Sequence, residues 1–144
     1  MEVFYYNKEL FQKAGIEKAP ETWDEFYDVC DKLKESGVTP WVVGASNAWR
    51  VVHIQTGLLY KMCGVEKAKE LGGRKAKWTD EDVVETIAFI QDLADRGIFG
   101  EDYLGLDYET EKAMFVSGQT AMSFDGSWRI AELKDMEDNV GVFR

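Results

Sequence analysis

The chain has 144 residues, 45% hydrophobic and 31% charged, which suits one domain, or one lobe of something larger, able to bury a core. Its net charge of −10, from 17 Lys+Arg against 27 Asp+Glu, argues against nucleic acid and anionic membranes as partners, since affinity there comes from neutralising phosphates with basic side chains. No run approaches the apolar length of a membrane span, and the opening "MEVFYYNKEL" lacks the basic start and apolar core of a signal peptide.

The β-branched and aromatic run "VFYY" at 3–6 predicts a short strand. Asn7 is placed to cap a short helix, "KELFQKA", closed at Gly15 in a left-handed conformation. Thr22-Trp23-Asp24-Glu25 reads as a capping box, in which the Thr and Glu side chains satisfy free backbone donors at a helix start. The helix it opens carries Phe26, Val29, Cys30 and Leu33 on one face and stops at Gly37. The apolar run "PWVVGA" at 40–45 suits a buried strand. Residues 48–63 predict a mostly apolar helix, and "GVEKAKELGGRKAK" a loop with a short helical piece. Thr79 is placed to cap the next helix, with Asp80, Glu81 and Asp82 in a first turn that favours negative charge. Its stripe is Val83, Ile87, Ile90, Leu93 and Ala94. A Gly-punctuated loop, the helix "YETEKAMFVSG", the strand "TAMSF", an Asp125-Gly126 turn, the helix "WRIAELKDM" and a last strand in "NVGVF" complete the order. Strands alternating with helices make the fold class α/β, a short central sheet flanked by helices.

No catalytic constellation stands out. There is no Gly-x-Ser-x-Gly elbow, P-loop or Gly-x-Gly-x-x-Gly, and nothing picks a working pair from the many carboxylates. His53, in an apolar helix with no Cys or carboxylate at ligand spacing, reads as a satisfied, partly buried histidine, so no metal or other cofactor is expected. Cys30 and Cys63 fit no zinc or redox spacing and read as two buried free thiols.

Five tryptophans remain to be placed. Trp23 sits in the capping box, Trp41 opens a buried strand, and Trp78 precedes Thr79 as a hydrophobic staple. Trp49, after Ser46-Asn47-Ala48, and Trp128, after Asp125-Gly126-Ser127, stand instead at strand-to-helix junctions, where open α/β sheets collect ligands. An indole there either packs under a loop or offers a platform to the apolar C–H face of a sugar ring. Asp125 and Asn47 are placed to satisfy sugar hydroxyls, and the free amides after Gly126 to add donors. Arg50 and Arg129 read as solvated helix residues, though arginine near a cleft also suits carboxylate or phosphate.

The stretch "VFYYNKELFQKAGIEKAPETWDEFYDVCDKLKESGVTPWVVGA", then "MFVSGQTAMSFDGSW", then "VGVFR", resembles in order and spacing the family 1 extracellular solute-binding proteins, the sugar-binding proteins of bacterial ABC importers. The resemblance implies a periplasmic-binding-protein-like class II fold, with residues 1–144 a single domain forming most of the C-terminal lobe of a two-lobed protein. It implies carbohydrate recognition for ABC-type import, a mono- or oligosaccharide held in the cleft between lobes without catalysis, and ABC permease subunits as partners. The location implied is extracellular or periplasmic, membrane-anchored as a lipoprotein in the full-length parent, although this chain shows no signal. In the resemblance Trp128 of Gly126-Ser127-Trp128 is the stacking aromatic, and Asp125 stands where the family often has Asn or Asp near a sugar hydroxyl. Trp49 after Ser46-Asn47 matches a loop that often reaches the cleft. Tyr5-Tyr6-Asn7-Lys8 falls near the crossing between lobes, with a structural role for Tyr6. The alternatives are the same fold binding glycerol phosphate or a peptide, and a hydrolase acting on carbohydrate.

Overall fold

The computed structural model describes residues 2–144. Strand β1 (Glu2–Asn7) lies inside a four-stranded sheet, antiparallel to β3 (Thr120–Gly126) on one side and to β4 (Val140–Phe143) on the other. β2 (Thr39–Trp41) is the outer neighbour of β3 and runs parallel to it, with Thr39 opposite Thr120 and Trp41 opposite Met122. The carboxyl ends of β2 and β3 and the amino end of β1 therefore meet at one end of the sheet, where Glu2 faces Gly126.

The helices are α1 (Lys8–Lys13), α2 (Trp23–Glu35), α3 (Ala48–Met62), α4 (Gly64–Gly72), α5 (Glu81–Asp95) and α6 (Tyr108–Val116), with a 3-10 helix at Ser127–Asn139. Local chemistry sets several of their ends. Asn7 Oδ1 accepts from Leu10 N at 3.1 Å, and Gly15 is left-handed at φ 70°. Thr22 Oγ1 accepts from Glu25 N at 3.2 Å, and the answering Glu25 carboxylate takes Glu21 N at 2.7 Å, one residue upstream of the usual box partner.

One sheet face carries the main core. Phe4 touches Trp41 edge-on at 4.8 Å and Phe124 at 5.0 Å, and α2, α3 and α5 close over them with Phe26, Leu33, Ile54 and Leu93. The other face packs Val3 and Tyr5 on Phe115 of α6 and on Leu133 and Met136 of the 3-10 helix. Cys30 is buried, Cys63 is partly buried, and both are free. Tyr6 packs on Phe11 at 4.5 Å, at the sheet end away from Gly126, in the structural role expected of it. Among the described residues no helix is long and apolar enough to cross a membrane.

Several expectations are corrected. The predicted strand over 40–45 pairs only as far as Trp41. Beyond it the backbone donors are taken elsewhere: Gly44 N by Glu111 Oε2 at 2.7 Å and Ala45 N by Tyr103 O at 3.1 Å. The stretch read mainly as a loop after residue 63 holds a nine-residue helix, α4, anchored by Leu71 against Leu59 and Val83. Asp80, not Thr79, precedes α5. The inward stripe of α5 holds at Val83, Ile90, Leu93 and Ala94 and fails at Ile87, which is exposed, while Thr86 beside it is buried with its hydroxyl bonded to Val83 O. Trp78 is 62% exposed, not the covered staple expected of it. Asp125-Gly126 is the end of β3, not a turn, because both residues pair with β1, Asp125 with Val3 and Gly126 with Glu2. The helix after it is 3-10, not α.

Candidate functional site

Trp49 and Trp128 occupy matching places, each the second residue of its helix, at the sheet end where β2 and β3 finish. Both are large apolar side chains left half in solvent, at 50% and 56% exposure. Tyr108, at the start of α6, joins them. The Trp49 ring meets it edge-on at 4.9 Å, and Trp128 Nε1 donates to its hydroxyl at 3.3 Å. The His53 ring, one turn along α3 from Trp49, lies 6.2 Å from Trp49 and 5.6 Å from Trp128.

This aromatic patch stands on a polar base. The Tyr108 hydroxyl donates to Asp125 Oδ2 at 2.8 Å, which also takes Arg129 Nη1 at 3.2 Å, while Asp125 Oδ1 takes Gly126 N at 2.8 Å. Burial holds the Tyr108 phenol above its usual range, and the facing Asp125 carboxylate adds to this against the opposing Trp128 bond, so the hydroxyl remains a donor. Tyr5 donates to Gly126 O at 3.0 Å, its phenol also raised, by burial first and then by Asp125. Arg50 is fully buried, with Nε and Nη2 on the two Glu111 oxygens at 2.9 and 2.5 Å and a further bond from Nη2 to the Phe124 carbonyl. Burial works against its charge, but Glu111 outweighs it and the guanidinium is held above its usual range. The close approach of Gly44 to Asp107, where a Cβ would sit 2.6 Å from the carbonyl, lets α6 come near enough to place Glu111.

Trp128 has its own seat. A Cβ on Gly126 would lie 2.1 Å from Trp128 Cζ3 and 2.2 Å from Cη2, so the indole folds back onto bare backbone. A flat ring held from below by main chain and at its edge by Tyr108 keeps one orientation without being buried.

Of the residues singled out in the sequence, Trp49, Trp128 and the exposed Ser127 come together at the surface. Asn47 stands at the rim, partly buried, and its Oδ1 accepts from Tyr108 N at 2.8 Å, tying the start of α3 to α6. Asp125 lies elsewhere than expected: it is 1% exposed with both oxygens bonded inside the protein, so it lies under the platform. Gly126 likewise serves as the floor, its amide and carbonyl already bonded to Asp125 and Tyr5. Arg50 and Arg129, read as solvated, are buried because carboxylates of Glu111 and Asp125 meet them there. Sequence reasoning missed Tyr108 and missed His53 as a neighbour of the patch. Nothing local marks Tyr108, but the spacing of Trp49, Arg50 and His53 on one helix face was a usable signal.

The sequence profile of the bacterial extracellular solute-binding proteins matches residues 1–144. A solved chitin oligosaccharide binding protein is 38% identical and superposes with a TM-score of 0.93 over 99% of this chain and 37% of its own. The multiple sugar-binding protein of Streptococcus mutans is 27% identical over 96% of this chain and 34% of its own length. The sn-glycerol-3-phosphate-binding periplasmic protein UgpB of Rhizobium meliloti is 32% identical over 97% of this chain and 33% of its own. The chain thus spans about a third of the length of these relatives.

Proposed function

The chain belongs to the bacterial extracellular solute-binding protein family, and from that premise we propose that it forms one carbohydrate-binding wall of a two-lobed binding protein for ABC-type import. Residues 1–144 make up most of the C-terminal lobe, and the sheet end bearing Trp49 and Trp128 faces the cleft. A neutral oligosaccharide stacks on Trp128 and extends toward Trp49, with Ser127 and Asn47 at the rim available to hydroxyls. Ligand bridging the two lobes favours the closed form through its extra contacts there, and the closed form docks on the ABC permease. The protein works outside the membrane, tethered as a lipoprotein, and recognises its ligand without chemical change.

One observation carries this reading: two indoles stand half-exposed against Tyr108, Trp128 seated on Gly126, while both nearby guanidinium groups are already neutralised, Arg50 by Glu111 and Arg129 by Asp125. Lys112, over the Tyr108 ring at 5.1 Å, is paired with Glu109 and Glu132. Apolar faces without free positive charge suit a neutral sugar. A phosphate ligand, as in the name of the Rhizobium relative, calls for unpaired cations.

The test is tryptophan fluorescence of the full-length protein titrated with chitobiose, xylobiose and laminaribiose, beside sn-glycerol 3-phosphate. A neutral sugar should give a saturable change, and Trp128→Ala should weaken it by about 2 kcal/mol, some thirtyfold in Kd. The bound sugar should be recovered intact. A response to glycerol phosphate alone would overturn the reading.

A further inference from the structure

His53 is the chain's single histidine. Both of its ring nitrogens are engaged, Nε2 at 2.6 Å from Glu2 Oε1 and Nδ1 at 3.0 Å from Arg50 Nη1. A guanidinium offers donors alone and keeps its charge in proteins. Nδ1 must therefore be the acceptor, which leaves the ring neutral with its proton on Nε2, donated to Glu2. Histidine is the side chain whose charge ordinarily changes between about pH 5 and 8.

We infer that His53 is the positioning residue of the Trp128 platform and acts so only while neutral, so that sugar affinity falls when it takes a proton. The inference rests on the reading that Trp128 stacks on sugar. A proton on Nδ1 sets N–H against N–H across 3.0 Å and brings two positive charges together. Arg50 cannot yield, since it is fully buried and its Nε and Nη2 are tied to Glu111 and to the Phe124 carbonyl. The ring has to move, and it lies 5.6 Å from Trp128 at an interplanar angle of 36°. The charged groups around it divide cleanly. From β1, Glu2 attracts the imidazolium, and Lys61 of α3 lines the same hollow as Glu2. From α3, Arg50 repels it. Glu111 of α6, Asp125 of β3 and Arg129 of the 3-10 helix stand behind, already paired with one another or with Arg50. Protonation thus draws His53 toward Glu2 and away from its acceptor role, and Trp128 loses a neighbour.

With one histidine, its titration in the isotope-labelled full-length protein is read by NMR without assignment, and the Trp128 indole N–H signal is identified by its loss in Trp128→Phe. In the absence of sugar, the Trp128 signal should shift with the same midpoint as His53. With chitobiose, calorimetry on either side of that midpoint should give a Kd roughly three- to tenfold weaker on the acid side, the loss of one aromatic contact. His53→Gln takes no proton and offers no ring, so it should bind about as weakly as the acid form, with no pH step. His53→Phe keeps a ring beside Trp128 and should bind about as tightly as the neutral protein, also with no pH step. A Trp128 signal that ignores the histidine titration overturns the inference, as does a pH step that survives in both variants. If chitobiose binds at no pH, it is the sugar reading that suffers, and the sugar-free NMR titration alone decides the role of His53.

Discussion

Two aromatic clusters in this protein use the same kinds of side chain and are held by opposite means. Around Phe4, the rings of Phe26, Trp41 and Phe124 pack at 4.8–5.4 Å and are all but closed to solvent. Apolar burial is enough there: the buried Trp41 Nε1 has no hydrogen-bond partner, and the packing outweighs that cost of about 1–3 kcal/mol. Around Tyr108, the rings of Trp49 and Trp128 are half in solvent, and Trp128 Nε1 is bonded. There orientation comes from a hydrogen-bonded phenol, a buried ion pair below and a glycine floor. A ring that must stay open to solvent cannot be fixed by burial, so polar partners and a bare backbone fix it instead.

The comparison can be broken at either cluster. Trp41→Ala should cost about 3–5 kcal/mol in urea unfolding, because it empties the centre of the buried cluster. Glu111→Gln should cost about 3 kcal/mol, because it leaves the Arg50 charge buried without its partner. Gly126→Ala should cost about 1–3 kcal/mol and weaken sugar binding more than it weakens the fold, since the side chain that must give way is Trp128. Tyr108→Phe should cost about 1 kcal/mol by removing the hydroxyl between Trp128 and Asp125. Trp128→Ala should change stability by less than about 0.5 kcal/mol while weakening sugar binding by about 2 kcal/mol. If Trp128→Ala destabilised the protein as much as Trp41→Ala, the two clusters would not differ in the way described.

What the sequence disclosed follows the range of the interactions. Asn7 and Thr22 cap their helices through partners three residues on, and both caps were legible. Trp49 and Trp128 were legible as a pair because each stands just inside a helix after a polar tripeptide. Arg50 was misread because its partner, Glu111, is 61 residues away. Tyr108 was missed for the same reason, since its contacts with Trp49, Asp125 and Trp128 exist only once four elements meet at the sheet end. The Gly126 floor was hidden differently: Asp-Gly is a strong turn signal, and pairing with β1 overrode it.

The floor beneath Trp128 also bears on how such a site can change over generations. Every amino acid reachable from a glycine codon carries a Cβ, so each missense change at 126 displaces the indole. Position 49 bears no such lock, and neither do the exposed residues around the rim. A lineage that shifts from one ligand to another is free to redraw the edges of the platform, while the spot on which Trp128 rests is inherited intact or lost.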